Sequence, residues 1–399
     1  MILNKTGLFL SAWCLAFGLS VLPVRAQETA GVRSAADEAA IQDTVVLKKE
    51  RKNPFKWIGN YLKNANKEKD KPFDFSLLLG PSYTASTSLG LGVAASGLYS
   101  LDRSDSTLQK SNVSLYGNAS IAGMLSVGVR GNNFFRGDRF RINYQTYVFT
   151  FPSYIWGIGY DAGCQDENKS KYSRVKFQFK PDFQFKIFKH TYLGAVFDIS
   201  WVNAYGFERP DLIQGQDPHV RNYGLGLNLI YDSRDFVLNA YCGNYFRLEQ
   251  MSYPSWMGNS YSFSYTDVTY SAYRQVWKGG VMAMELHGLL NYGDVPWTML
   301  AQVGTMNRMR GYYEGRYRDR NILEGQVELR QHIKGRNGMV AWVGFANVFH
   351  NFNNIWLRET LPNYGVGYRW EFKKRVNVRL DLGFTKDSPN VSFNINEAF

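Results

Sequence analysis

The chain has 399 residues, 16% of them aromatic, with a negative mean hydropathy and a formal charge of +12. The length admits one large domain or two ordinary ones, and the aromatic load is high for a soluble domain. The basic charge by itself would fit a nucleic-acid binder, but the first residues send the chain out of the cytoplasm, which removes nucleic acid as a partner.

Residues 1–26 read as a signal peptide. Lys5 supplies a positive start, Leu8 to Leu22 an apolar core, and Val24-Arg25-Ala26 a small-x-small cleavage site before Gln27. The core is about 15 residues, shorter than the roughly 20 a spanning helix needs. Residues 27–71 are polar, and Lys48–Lys71 carries nine Lys/Arg against three Asp/Glu. Within them Pro54 opens a short amphipathic helix with Phe55, Ile58, Tyr61 and Leu62 on one side. This reads as a periplasmic lead-in that could meet a partner protein.

From residue 72 to 399 the period becomes two. In Val376-Asn-Val-Arg-Leu-Asp-Leu-Gly-Phe384, Val376, Val378, Leu380, Leu382 and Phe384 share one face, while Arg379 and Asp381 lie on the other. Val175–Lys180, Tyr364–Phe372 and Val391–Asn396 alternate in the same way. Charges in such strands cannot face lipid, where Arg costs roughly 2–4 kcal/mol at the midplane, so they must face a polar lumen. Sixteen segments of this kind begin near residues 73, 87, 112, 125, 139, 172, 191, 221, 236, 259, 280, 321, 338, 361, 376 and 390. The fold expected is an all-β membrane protein, a 16-stranded antiparallel outer-membrane β-barrel of a Gram-negative envelope. It is read as monomeric, surrounded by outer-membrane lipid, with both termini periplasmic.

Connections alternate in length. Asp232–Asp235, Lys278–Gly280, Lys334–Gly338 and Lys373–Arg375 are short, while 151–171, 205–220, 249–258, 291–320 and 350–362 are long. That is the pattern of periplasmic turns and external loops. Trp156, Trp256, Trp297 and Trp356 fall in or near the long connections and read as an interface girdle. Phe399 continues the phase of Val391, Phe393 and Ile395, which puts a terminal aromatic on the lipid face as a barrel-assembly signal.

The longest connection contains Met309-Arg310-Gly311-Tyr312, followed by Tyr317-Arg-Asp-Arg320 and the strand Val327-Glu-Leu-Arg330. With Tyr231–Asp235, Gly365-x-Gly-x-Arg369 and Arg379-x-Asp-x-Gly383, this resembles the bacterial surface antigen superfamily, that is, outer-membrane assembly factors and two-partner-secretion translocators. The resemblance covers the barrel and is strongest over 300–399. It implies that the sixth external loop folds into the lumen and that Arg310, Gly311 and Tyr312 form its latch. The first partner it implies for Arg310 is Glu328. The second is an Asp in a Phe-x-Asp-x-Gly strand, for which the matching stretch is Phe345-Ala-Asn347-Val-Phe349, with Asn in place of Asp. Strand parity independently offers Glu324, Glu328, Glu371 and Asp381 as inward acids, and Arg330, Arg369 and Arg379 complete a lumen charge cluster. The family's periplasmic polypeptide-transport-associated domains are not legible in this sequence.

The function implied is insertion or translocation of client polypeptide, or movement of lipid, with a passive porin or a surface adhesin or rim enzyme as the alternatives. No catalytic motif is legible. The five His lack metal-ligand spacing, no cofactor site is indicated, and Asp217 with His219 reads as a solvated loop. Cys164 and Cys242 are far apart in sequence, and a disulfide between them stays open.

Overall fold

The structure, a computed structural model, describes residues 73–84, 88–102 and 108–399. The leader and the 54–62 helix fall outside those residues. Sixteen strands form one antiparallel sheet in which every strand pairs with its neighbours in sequence. They are β1 Phe73–Thr84, β2 Ser88–Tyr99, β3 Ser111–Ser120, β4 Leu125–Phe134, β5 Phe140–Ile155, β6 Ser170–Phe188, β7 Thr191–Tyr205 and β8 His219–Asp232. The remainder are β9 Gly243–Tyr253, β10 Phe263–Trp277, β11 Gly280–Gly293, β12 Asn321–Lys334, β13 Asn337–Phe349, β14 Leu361–Lys373, β15 Val376–Thr385 and β16 Asn390–Ile395. β1 and β16 return into contact. Among the described residues no ladder joins them.

Alternation sets the two faces. On β7, Leu193, Phe197 and Trp201 are exposed outside, while Val196, Asp198 and Ser200 are buried inside. A one-residue slip would turn every charge outward, so the apolar outer face pins the register. Large hydrophobics stay exposed along the outer wall, among them Leu91, Leu227, Val343 and Tyr364.

Strand starts agree with the sequence expectation except at β9, which begins at Gly243 rather than near Phe236. The segment 233–242 instead turns inward. Asp235 and the carbonyl of Asn239 accept from Arg375, whose guanidinium lies 5.1 Å from the Phe236 ring and 4.0 Å from that of Tyr241. The cation draws these aromatics away from a lipid-facing position. The length alternation also fails near the start of the barrel, where the β1–β2 and β3–β4 connections are shorter than the β2–β3 connection.

The apolar core sits where the long connections fold into the barrel mouth. Trp297 packs against Tyr172 and Phe207, beside Leu212, Ile213 and Leu300. Trp156 and Trp297 are therefore buried, not girdle residues; Trp256 and Trp356 are exposed. Asp217 accepts from the backbone amide of His219, a turn-forming contact. Cys164 and Cys242 are both free.

Candidate functional site

The loop between β11 and β12, residues 294–320, is the sixth at its end of the barrel. A two-residue ladder, Ala301 to Asp319 and Gln302 to Arg318, braces its stem. At its tip Met309 and Gly311 take positive φ, 52° and 115°, which turns the chain sharply and drives Arg310 into the wall.

The wall is ready for it because four consecutive strands bring one row together. Glu328 of β12 pairs with Trp342 of β13, Trp342 with Gly365 of β14, and Gly365 with Gly383 of β15. Arg310, only 2% exposed, donates through Nη2 to Glu328 Oε2 at 2.6 Å and through Nη1 to Asp381 Oδ2 at 3.1 Å. Its guanidinium lies 3.8 Å over the Trp342 ring. The Trp342 indole N–H donates to Asn363 Oδ1 at 2.8 Å, and Asn363 Nδ2 donates to the Arg310 carbonyl. Two carboxylates and a ring face thus hold the planar fork of one cation from three directions.

Glycine at 383 is a requirement of contact. A methyl there would overlap the Arg310 carbonyl, and one at Gly311 would press on Thr385 and the Gly383 backbone. Gly383→Ala is expected to lift the tip off β15 at a cost of about 1–3 kcal/mol. Limited trypsin digestion at Arg308 and Arg316, faster than in the parent, is the measurement. Unchanged cleavage would show that the tip does not need this approach.

Two further arginines extend the cluster away from the tip. Arg330 Nε donates to Glu328 Oε1 at 2.7 Å and Nη2 to the main-chain oxygen of Phe399 at 2.8 Å. Arg369 Nη1 donates to Asp381 Oδ1 at 2.6 Å and Nε to Glu397 Oε2 at 2.8 Å. Each latch carboxylate is therefore linked through one arginine to the last four residues. Arg379 lies 3.7 Å from Asp381 and donates to the Met306 carbonyl and to Asn307 Oδ1. Four arginines face three carboxylates here, Glu328, Asp381 and Glu397, all of them buried.

Four expectations are corrected. Asn347 is not a partner of Arg310. It shares the outward parity of Val343 and Phe345, and its side chain bonds to the Trp356 carbonyl and Thr360. The second partner is Asp381, from the Arg-x-Asp-x-Gly stretch of β15. Glu371 pairs with Asn377 at the turn end of β14, away from the Asp381 level, and is not used by Arg310. Glu324 is buried on the inner face but contacts His287 Nδ1 at 2.7 Å, not Arg310. Phe399 is not on the lipid face. The chain turns at Asn396, φ 70°, Glu397 is held inside by Arg369, and the Phe399 ring packs 6.2 Å from Tyr273 and 5.2 Å from the Arg330 guanidinium.

Sequence reasoning missed Trp342, Asn363 and Glu397. Parity would have placed Trp342 and Asn363 inside. Nothing local marks Glu397, because its position depends on the turn at Asn396. Also missed is a second hold on the loop, Arg308 Nε to Glu285 Oε1 at 2.7 Å.

A family model described as the Omp85 superfamily domain matches residues 109–399, including the whole of this site. The chain belongs to the Omp85 superfamily. Its barrel is accordingly an outer-membrane β-barrel. Solved Omp85-like folds include BamA from Haemophilus ducreyi lacking POTRA domains 1–3, at TM-score 0.53 and 10% identity, covering 82% of this chain and 70% of that one. CdiB from Acinetobacter baumannii is similar at TM-score 0.54 and 10% identity, with 82% and 60% covered. CdiB from Escherichia coli follows at 0.53 and 10%, with 86% and 70% covered. At that identity the likeness is one of fold. No curated protein matches the sequence.

Proposed function

We propose that this Omp85 barrel handles polypeptide at the outer membrane, inserting or translocating clients, with loop six as a releasable latch on the last strands. The observation that carries the reading is Arg310 bound at once to Glu328 of β12 and Asp381 of β15. One loop side chain thereby clamps the strands that lead to the end of the sheet. The edge they control is weak. β1 and β16 touch, but β16 has six residues against twelve in β1, and a mismatched seam of this kind is where another strand could add. In this reading the end bearing residues 73 and 399 faces the periplasm, the chain is non-enzymatic, and residues 27–71 meet a periplasmic partner. Lipid movement at the same edge is the alternative cargo.

The test is photocrosslinking from Phe75 of β1 and Phe393 of β16 in growing cells, with the outer-membrane proteome measured on depletion. Crosslinks to newly made outer-membrane polypeptides, with loss of those proteins on depletion, are expected. Crosslinks to lipid alone with an unchanged proteome would overturn the polypeptide reading.

A further inference from the structure

Charges in the lumen are divided unevenly. On the side of β9 to β15, Arg308, Arg310, Arg330 and Arg369 each have a carboxylate within reach. On the inner faces of β4 to β6, Arg130, Lys176 and Arg174 have none as an ion-pair partner among the described residues. Register aligns them up one wall. Arg130 sits level with Gln145 and Lys180, Phe149 with Lys176, and Phe151 with Arg174.

Each of these cations rests on a ring instead. Arg130 is 5.8 Å from the Tyr116 centroid, Lys176 is 5.6 Å from Tyr147, and Arg174 is 5.2 Å from Phe149. Ring faces hold a cation without neutralising it, so the charge stays available to a passing anion. Of the acids Asp182, Asp198 and Glu249 on the neighbouring strands, only Glu249 is ion-paired, and Asp182 and Asp198 are buried rather than open to the lumen. Asp198 accepts from Gln178 and Tyr253, Asp182 from Gln184, and Glu249 from Lys180, Arg247 and Tyr265. Glu314 of loop six lies near Arg174 but is exposed and forms no ion pair with it. The wall is also open, since Gln145 and Arg130 are exposed on this inner face and Lys176 and Arg174 are only half-buried.

We infer that the β4–β6 wall of the lumen is an anion-attracting path, selecting small anions and acidic groups over cations. The inference rests on this wall alone and is independent of the latch. The probe is a thiol at position 145, Gln145→Cys, in the full chain with its other cysteines replaced by serine. It is reacted with a sulfonate-bearing and a trimethylammonium-bearing methanethiosulfonate. Normalised to a small free thiol, the anionic reagent is expected to react about tenfold faster than the cationic one at low ionic strength. The preference should shrink as salt screens the wall. Adding Arg130→Gln with Lys176→Gln should bring the ratio close to one. If that variant does not fold, the salt dependence in the single-thiol protein decides instead. Equal rates at low salt, a preference for the cationic reagent, or no reaction with either would overturn the inference.

Discussion

Arg310→Ala is expected to release loop six and to lower the stability of the folded barrel by about 3–5 kcal/mol, the loss of two buried charge-assisted hydrogen bonds. The loss has two parts. Glu328 and Asp381 keep the neighbouring cations Arg330 and Arg369, but each loses a charge-assisted bond and the ring-stacked charge between them. The Arg310 carbonyl also ceases to be held as the tip relaxes away from Asn363. Arg310→Lys should recover little, because an ammonium is a point charge and cannot span carboxylates on β12 and β15 as the guanidinium fork does. The measurement is the temperature at which the folded band is lost in heat-modifiable gel mobility, together with trypsin cleavage within 294–320. Asn347→Ala is the internal control and should move neither. An Arg310→Ala protein with parental melting and a protected loop would refute the latch.

Asp381→Asn is expected to cost at least as much. Three guanidiniums converge on this carboxylate: Arg310 at 3.1 Å, Arg369 at 2.6 Å and Arg379 at 3.7 Å. An amide keeps the shape but removes the charge, and its NH₂ must then face donors. The result is a buried, like-charged cluster with two carboxylates against four arginines. Such repulsion falls when one member is removed, so Asp381→Asn with Arg379→Met should be more stable than Asp381→Asn alone. Arg310→Ala combined with Asp381→Asn should be less than additive, since both remove the same contact. Denaturant unfolding in detergent, followed by tryptophan fluorescence, supplies the cycle. Strict additivity would mean that Arg310 and Asp381 do not act together.

The glycines and the arginines of the site have different signals in the sequence. Arg310-Gly311-Tyr312 stands out because it is contiguous on the chain, lies in the longest connection and resembles the family's loop tip there. Gly365 and Gly383 belong to stretches that resemble the family's closing strands, but only the register shows that they align with Trp342 and Glu328. The row exists only across four strands, and its members are separated by loops of unrelated length. Reading Asn347 as a partner failed for a local reason. Its neighbours Val343 and Phe345 carry the outward phase, and a position of that parity cannot reach the lumen without a bulge.

The loop that enters the lumen was implied by the family resemblance; the alternation of the sequence by itself determined the sheet, the lipid-facing side of nearly every strand and the inward parity of Glu328 and Asp381. Those follow from period two and from the cost of a charge in lipid, and both are local. Only the tertiary structure decided that Asp381 is the second acid Arg310 takes, that 233–242 leaves the wall for Arg375, and that Phe399 lies inside beside Tyr273. Each of those choices is made by a cation many residues away in the chain. Alternation extrapolated past Asn396 could not register that the backbone turns there and carries Glu397 to Arg369.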